Sequence, residues 1–292
     1  MGPGTATTPP WPASSSSEPP GAPDRQRLKL VVAYLGSPFK GFAAQPGQVT
    51  VAGALGAALE KVLRHPVDMT CAGRTDAGVH AWGQVVSLDT VAGADLARLQ
   101  RALNKMLNPL VSVREVSWAP PGFDARRSAL WRRYRYRVEC ATWPDPREAA
   151  TTWHVGEPLD LRGMQAAADS LLGEHDFSSF CHAVRGRPGP LVRRVLTAEW
   201  SSEPAPAVDG PPAPAGAASG RLAFEIKANA FCHQMVRSVV GTLVEVGQGR
   251  RRAGDMLAVL EARDRAAAGP MAPPHGLCLE EVGYPSLPAP RP

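Results

Sequence analysis

Several common sequence signals are absent from this chain, and each absence argues against a class of protein. No two cysteines form a CxxC pair, which argues against a zinc ribbon and a thioredoxin-type redox site. The cysteines are odd in number and widely dispersed, which argues against a disulfide framework and for a reducing compartment; they are Cys71, Cys140, Cys181, Cys232 and Cys278. No apolar run approaches the roughly 18 residues that a membrane span requires, so we expect no membrane association.

The N-terminus also lacks the apolar core of a signal peptide. Residues 1–27 are instead rich in proline, serine and glycine, a composition that predicts a disordered extension. These features together predict a cytoplasmic protein. The 292 residues are nevertheless 44% hydrophobic, which is enough to bury a substantial core.

The excess of positive charge is small, because 32 lysines and arginines face 27 acidic residues and the formal net charge is +5. Arginine is clustered, however, in segments 126–137, 185–194 and 249–252. The first cluster also contains tyrosine and tryptophan, and guanidinium and aromatic groups together suit phosphate and base contacts in nucleic acid. A solvated surface explains the same composition, so both interpretations stay open at this point.

Hydrophobic periodicity predicts strands and helices in two rather similar rounds. Strands are predicted at 28–36, 67–71, 80–89, 111–120, 131–140, 195–201, 221–229 and 277–285. Helices are predicted at 49–65, 94–107, 161–175 (ending near Gly173), 232–247 and 255–263. The short connections favour an α+β fold around a largely antiparallel sheet. The proline- and alanine-rich segment 203–220 has nothing to pack and predicts a flexible hairpin insertion.

The strand predicted at 131–140 has two different faces, because side chains alternate along a strand. One face is aromatic and apolar and consists of Tyr134, Tyr136, Val138 and Cys140. The other is mostly cationic and consists of Arg133, Arg135, Arg137 and Glu139.

The segment CAGRTDAGVH, residues 71–80, lies between two predicted strands, where binding and catalytic residues often lie. It lacks the Gly-Lys-Ser/Thr ending of a P-loop and the GxGxxG of a dinucleotide site. It also lacks the HExxH motif or paired carboxylates of a metal site. Asp76 is therefore a turn residue, a solvated charge or a catalytic carboxylate, and Asp before Ala-Gly is most often turn chemistry.

The segment CAGRTDAGVHAWGQVVSLDT, residues 71–90, resembles the signature of the tRNA pseudouridine synthase A family. Further similarity follows in family order at 123–138, 171–181, 226–247 and 275–285, so that the resemblance extends from about Leu28 to Pro285. It implies a pseudouridine-synthase-like α+β fold with a largely antiparallel mixed sheet flanked by helices. The sheet is expected to come from two similar halves, 28–120 and 121–285, with an active-site cleft between them and a tail at 286–292.

The resemblance implies an isomerase that converts uridine to pseudouridine in the tRNA anticodon stem-loop, typically at positions 38, 39 and 40. It implies no cofactor and no required metal, and a homodimer in which one tRNA spans both subunits. Two other functions are compatible with the same residues: an RNA-binding protein of this fold without activity, and an N-glycosidase.

The resemblance also assigns roles to four residues. Asp76 corresponds to the catalytic carboxylate, and Arg237 corresponds to the basic residue that pairs with it. Tyr134 is expected to pack on the target uracil and to take part in proton transfer, and Arg74 is expected to hold the everted nucleotide. Plain structural roles remain the alternatives for Arg74, Tyr134 and Arg237.

Two histidines and one divergent segment complete the expectations. For His80 and His233 we expect a scaffold role or an RNA contact rather than catalysis. Leu35, Phe42 and Ala52 stand where the family usually has Asp, Trp and Gln, which makes the RNA contacts of segment 34–52 uncertain.

Overall fold

A ten-stranded sheet forms the centre of the fold. The computed structural model describes residues 25–182, 191–204, 217–218 and 220–285. The predicted extension up to residue 24, most of the 203–220 insertion and the 286–292 tail lie outside the described residues, as does part of the second arginine cluster.

Helices and strands are interspersed along the described residues. In the first part they are β1 (Arg25–Tyr34), α1 (Val51–Leu63), β2 (Met69–Cys71), β3 (His80–Val91), α2 (Leu96–Leu107) and β4 (Val111–Trp118). Next come β5 (Trp131–Cys140), β6 (Trp153–Val155), β7 (Leu159–Asp160), α3 (Leu161–Asp169) and β8 (Gly173–Asp176). The last are β9 (Val192–Glu203), β10 (Ala217–Ala218), β11 (Gly220–Ala228), α4 (Met235–Gly247), α5 (Asp255–Ala262) and β12 (Leu277–Gly283).

The strand order across the sheet is β4-β1-β3-β12-β5-β11-β9-β8, with β2 attached to β3 and β6 to β5. Neighbouring strands are antiparallel except at the β12–β3 and β5–β6 pairs. The late strand β12 lies between β3 and β5 and so joins early and late strands into one sheet. The α+β class with a largely antiparallel mixed sheet is confirmed, whereas the division into two halves near residue 120 stays a prediction.

A single apolar core links the helices to one face of the sheet. In α1 the buried Val51, Leu55 and Leu59 recur every four residues, and the Thr50 side chain caps the helix by accepting from the Gly53 amide. Tyr136 of β5 is fully buried in the same core. The aromatic face that the sequence predicts for residues 131–140 is therefore the inner face of the sheet.

The cationic face of β5 lies on the opposite side of the sheet, where glutamates of β9, β11 and β12 neutralise it. Arg133 pairs with Glu225 at 2.8 Å and with Glu281 at 2.9 Å. Arg135 bridges Glu225 and Glu203, and Arg137 contacts Glu203 at 3.0 Å. These arginines form a cross-strand ion-pair ladder. The glutamates therefore already balance the charge of this part of the arginine cluster, which favours a structural role for it over a phosphate contact.

Several predicted element ends differ from the structure, and two of the differences have a local backbone reason. The first strand begins at Arg25 instead of residue 28, so the predicted extension is three residues too long. Helix α3 ends at Asp169 because the chain turns there and Gly173, with φ +96°, starts β8. Helix α4 begins at Met235 instead of residue 232, because Gln234 has φ +64°.

One disulfide joins Cys181 to Cys232, which are 51 residues apart in the sequence. The odd, dispersed cysteines argue against a disulfide framework, and the sequence gives no sign of this single pair. The fold alone brings the two residues together, with their Cα atoms 5.8 Å apart, a separation that suits a disulfide.

Candidate active site

Asp76 lies in the loop between β2 and β3, and hydrogen bonds hold that loop on both sides of it. The Phe42 amide donates to the Thr75 carbonyl at 3.0 Å, and the Tyr34 hydroxyl lies 2.8 Å from Thr75 Oγ1. Gln84 Nε2 donates to the Gly73 carbonyl at 2.6 Å. The loop is thus attached to β1 and β3, which fixes the position of the Asp76 backbone.

Close packing against the preceding segment also constrains this loop. A Cβ on Gly36 would overlap the Val79 carbonyl, so only glycine allows the two backbones to approach this closely. Phe42, which stands where the family usually has Trp, is buried with its ring 6.0 Å from that of Tyr34. Phe42 therefore supports the loop from inside the core.

Two basic side chains contact the Asp76 carboxylate, one at each oxygen. Arg237 Nη1 lies 3.5 Å from Oδ2, and His233 Nε2 lies 3.3 Å from Oδ1. The Asp76 side chain is 23% exposed, so the carboxylate contacts these two basic groups and is still accessible to solvent. Arg237 itself is 10% exposed, and its Nε donates to the Ala272 carbonyl at 2.8 Å. The predicted proximity of Asp76 and Arg237 is therefore present in the structure.

Tyr134 lies on the inner face of β5, beside the loop that carries Asp76. Its hydroxyl is 3.9 Å from the position that a Cβ would take on Gly73. Phe231 meets its ring edge-on, at 5.0 Å between centroids and 84° between planes. Burial raises the pKa of Tyr134, the Arg132 charge opposes this, and the Asp76 charge adds to it. Tyr134 is therefore a neutral hydroxyl at neutral pH.

Arg74 is exposed at the rim of the loop, and within the described parts of the chain no acidic group pairs with it. Burial raises the pKa of the nearby Cys71 thiol, and the charges of Arg74 and Arg126 oppose that shift. Both guanidinium groups therefore lie near the same side chain, at the edge of the site. The expected role of Arg74 in holding the nucleotide stays a prediction.

The two histidines differ in their surroundings. His80 Nδ1 accepts from the Gly36 amide at 3.0 Å, and Nε2 lies 3.0 Å from the His275 carbonyl, so its ring is a neutral link between segments. Burial lowers the pKa of His80. These hydrogen bonds fit the expected scaffold role. His233, by contrast, contacts Asp76, and its position four residues before Arg237 is the only sequence signal for this contact.

Over the ranges from residue 25 to 285 that the structure describes, no three His, Cys, Asp or Glu residues cluster as metal ligands. None of the helices in these ranges is long and apolar enough to cross a membrane.

The family model and the similar proteins point to the same family. The model of a family described as "tRNA pseudouridine synthase" matches residues 30–126 and 167–285. A relative named tRNA pseudouridine synthase A from Frankia casuarinae is 43% identical over 264 residues, which is 90% of each chain. Relatives of the same name from Leifsonia xyli (41% identity; 89% of this chain, 92% of the relative) and Gloeobacter violaceus (40%; 92% and 83%) are similarly close. The chain therefore belongs to the tRNA pseudouridine synthase family.

Proposed function

We propose that this isomerase converts uridine to pseudouridine at positions 38, 39 and 40 of the tRNA anticodon stem-loop, with Asp76 as the reacting carboxylate. Family membership makes the chain a tRNA pseudouridine synthase. The positions in tRNA and the roles of the individual residues are the parts that we propose.

The surroundings of Asp76 carry the proposal. A carboxylate with Arg237 at one oxygen and His233 at the other is kept in one orientation, and its exposed side can accept a nucleotide. A turn residue or a solvated charge needs neither contact. The buried position of Arg237 adds to this argument, because a buried guanidinium needs compensating contacts and Asp76 is its one acidic partner among the described residues.

The chemistry suits a single carboxylate. The N1–C1′ bond breaks, the uracil turns over, and C5 bonds to C1′. Asp76 either attacks C1′ or stabilises the positive charge that develops there. The C5 proton leaves and N1 ends protonated, so that the reaction consumes no co-reactant and calls for no cofactor or metal.

Tyr134 and Arg74 complete the proposed site. The neutral ring of Tyr134 offers a flat surface for the uracil, and burial favours this packing role over that of a base. Arg74 at the rim is free to take the place of the everted nucleotide or to bind its phosphate, a requirement for enzymes that modify a base.

RNA binding is proposed for the arginines at the loop edge, not for those of the ladder. Arg126 and Arg127 are exposed, and in the described ranges no carboxylate forms an ion pair with either of them. Arg74 and Arg126 both lie near Cys71, so phosphate contacts here would bring the RNA to Asp76. Such contacts predict binding that weakens with salt.

The resemblance supports two further parts of the proposal. We infer a homodimer in which one tRNA contacts both subunits, and light scattering of the free protein measures this mass directly. We also infer that the enzyme acts in the cytoplasm, where its proposed substrate is found.

The test is to map pseudouridine in tRNA transcripts after incubation with the wild-type enzyme. We expect modification at uridines 38 to 40, and none in matched transcripts that carry cytidine at these positions. Pseudouridine only outside the anticodon stem-loop would refute the proposed positions. Binding without any product would favour the inactive RNA-binding protein, and release of free uracil would reveal an N-glycosidase.

A further inference from the structure

Arg132 is a buried cation that pairs with no acid in the described ranges of the chain. It is 9% exposed and directly precedes Arg133 on β5. Burial lowers the pKa of its guanidinium group. A buried charge without a counter-ion is costly, and an apolar side chain would pack there more cheaply. Its presence therefore calls for a specific reason.

The guanidinium donates to main-chain carbonyls from separate segments. Nη2 donates to Ala72 at 2.9 Å and to Arg126 at 2.8 Å. Nη1 donates to Asn229 at 2.9 Å and more weakly to Ala129 at 3.4 Å. The planar fork of an arginine can serve several acceptors at fixed angles, which a lysine cannot do.

Two of these acceptors belong to the segments that carry the candidate active site. Ala72 begins the loop that contains Arg74 and Asp76. Asn229 begins the segment that leads through Phe231 and His233 into α4.

Asn229 is itself well fixed. Its side-chain Oδ1 accepts from the main-chain amides of Arg194 and Ala230 at 3.0 and 2.8 Å. Its main-chain amide donates to the Arg194 carbonyl at 3.1 Å. A displacement of Arg132 would therefore move the Asp76 loop relative to a rigid partner.

We propose that Arg132 is a positioning residue. It holds the Asp76 loop and the segment after Asn229 at the separation that allows His233 and Arg237 to reach the two carboxylate oxygens. It does not touch the substrate and acts through Asp76, so this inference rests on the proposed role of Asp76.

The neighbouring Arg133 provides a matched control. It is the same residue type on the same strand, but it points to the opposite face and pairs with Glu225 and Glu281. Arg132→Lys and Arg133→Lys make the same chemical change one residue apart. A general weakening of β5 would affect both variants alike.

We expect Arg132→Lys to lower the single-turnover rate about 10- to 100-fold, because small misplacements of reacting groups cost that much. The Kd for tRNA should stay within about threefold, because Arg132 does not face the RNA and contacts only the main chain of Arg126, one of several proposed RNA-binding arginines. Arg133→Lys should leave both values within about twofold. Rates are expressed per tRNA-binding site, so that unfolded protein does not count.

Arg132→Ala with added guanidinium ion extends the test. We expect the free ion to restore part of the rate by filling the vacated site, and not to help Arg133→Ala. An unchanged rate in Arg132→Lys would overturn the proposal, as would equal losses in the two lysine variants. Asp76→Asn, measured in parallel, separates the two hypotheses: full activity in that variant refutes the proposed role of Asp76, whatever Arg132 does.

Discussion

The contact between Arg237 and Asp76 leads to a quantitative prediction. The two atoms, Nη1 and Oδ2, are 3.5 Å apart. At an effective dielectric constant of about 20, Coulomb's law gives an attraction of about 5 kcal/mol at this distance. This is an upper limit, because the Asp76 side chain is 23% exposed and water compensates part of the loss.

We therefore expect Arg237→Met to remove about 2–3 kcal/mol of transition-state stabilisation, which lowers kcat about 30- to 150-fold. Arg237→Lys should lie between this variant and the wild type, because one ammonium group cannot serve both Asp76 and the Ala272 carbonyl in the same geometry. The assay follows tritium released from C5 of labelled uridine in tRNA, since this hydrogen leaves when C5 bonds to C1′.

Arg250→Met is the control for a lost arginine near the end of the same helix. Arg250 is 63% exposed and lies 3.7 Å from Glu157, so its ion pair contributes little. We expect kcat of this variant to stay within about twofold of the wild type. A folded Arg237→Met enzyme with wild-type kcat would refute the reasoning.

Two further predictions concern histidines. His233 is 44% exposed, so His233→Leu should lower kcat only about 3- to 10-fold. His233→Gln keeps a hydrogen-bond donor for Asp76 and should retain most of the activity in the same tritium assay. Equal losses in both variants would show that this donor is unimportant. Burial lowers the pKa of His80 below its usual 6.5, so the unfolded state takes up a proton that the folded state resists, and the unfolding free energy should fall as the pH drops below about 6.5. Burial lowers the pKa of His275 as well, which adds to the pH dependence of the unfolding free energy. Urea unfolding at several pH values measures this dependence, and His80→Asn should weaken it. An unchanged pH dependence in His80→Asn would contradict the assignment.

Much of the fold is predictable where the sequence pattern is strictly periodic. The bounds of β5 agree with the prediction because inward and outward side chains alternate without a break over its first eight residues. The ends of α3 and α4 are not predictable in this way. The positive φ of Gln234 is set by the tertiary position of the chain, and Gln is not a residue that signals it.

The candidate site is also predictable from the sequence in some parts and not in others. The motif around Asp76 and the resemblance point to Arg237, which the fold then places against the carboxylate. Side chains that act through distant backbone carry no local signal. Arg132 and Arg133 are adjacent and identical in the sequence, and only the contacts across the sheet reveal that one meets carbonyls and the other meets glutamates.

The Cys181–Cys232 disulfide and the ion-pair ladder are unpredictable for a related reason. Both depend on residues that are far apart in the sequence. Glu225 and Glu281 become partners of Arg133 only because β11 and β12 flank β5 on either side. Composition correctly indicates an abundance of arginine but does not distinguish arginines that are paired with glutamates from those that are not.

The most direct test of the central claim is the activity of Asp76→Asn on tRNA. Asparagine keeps the size of the side chain and a hydrogen-bond acceptor for Arg237, but it removes the negative charge. We predict at least about a 10³-fold loss of pseudouridine formation with tRNA binding within about threefold of the wild type. The surface variant Asp89→Asn, which loses only a pair with Arg27, should remain fully active. Pseudouridine formation by Asp76→Asn at the wild-type rate would contradict the account.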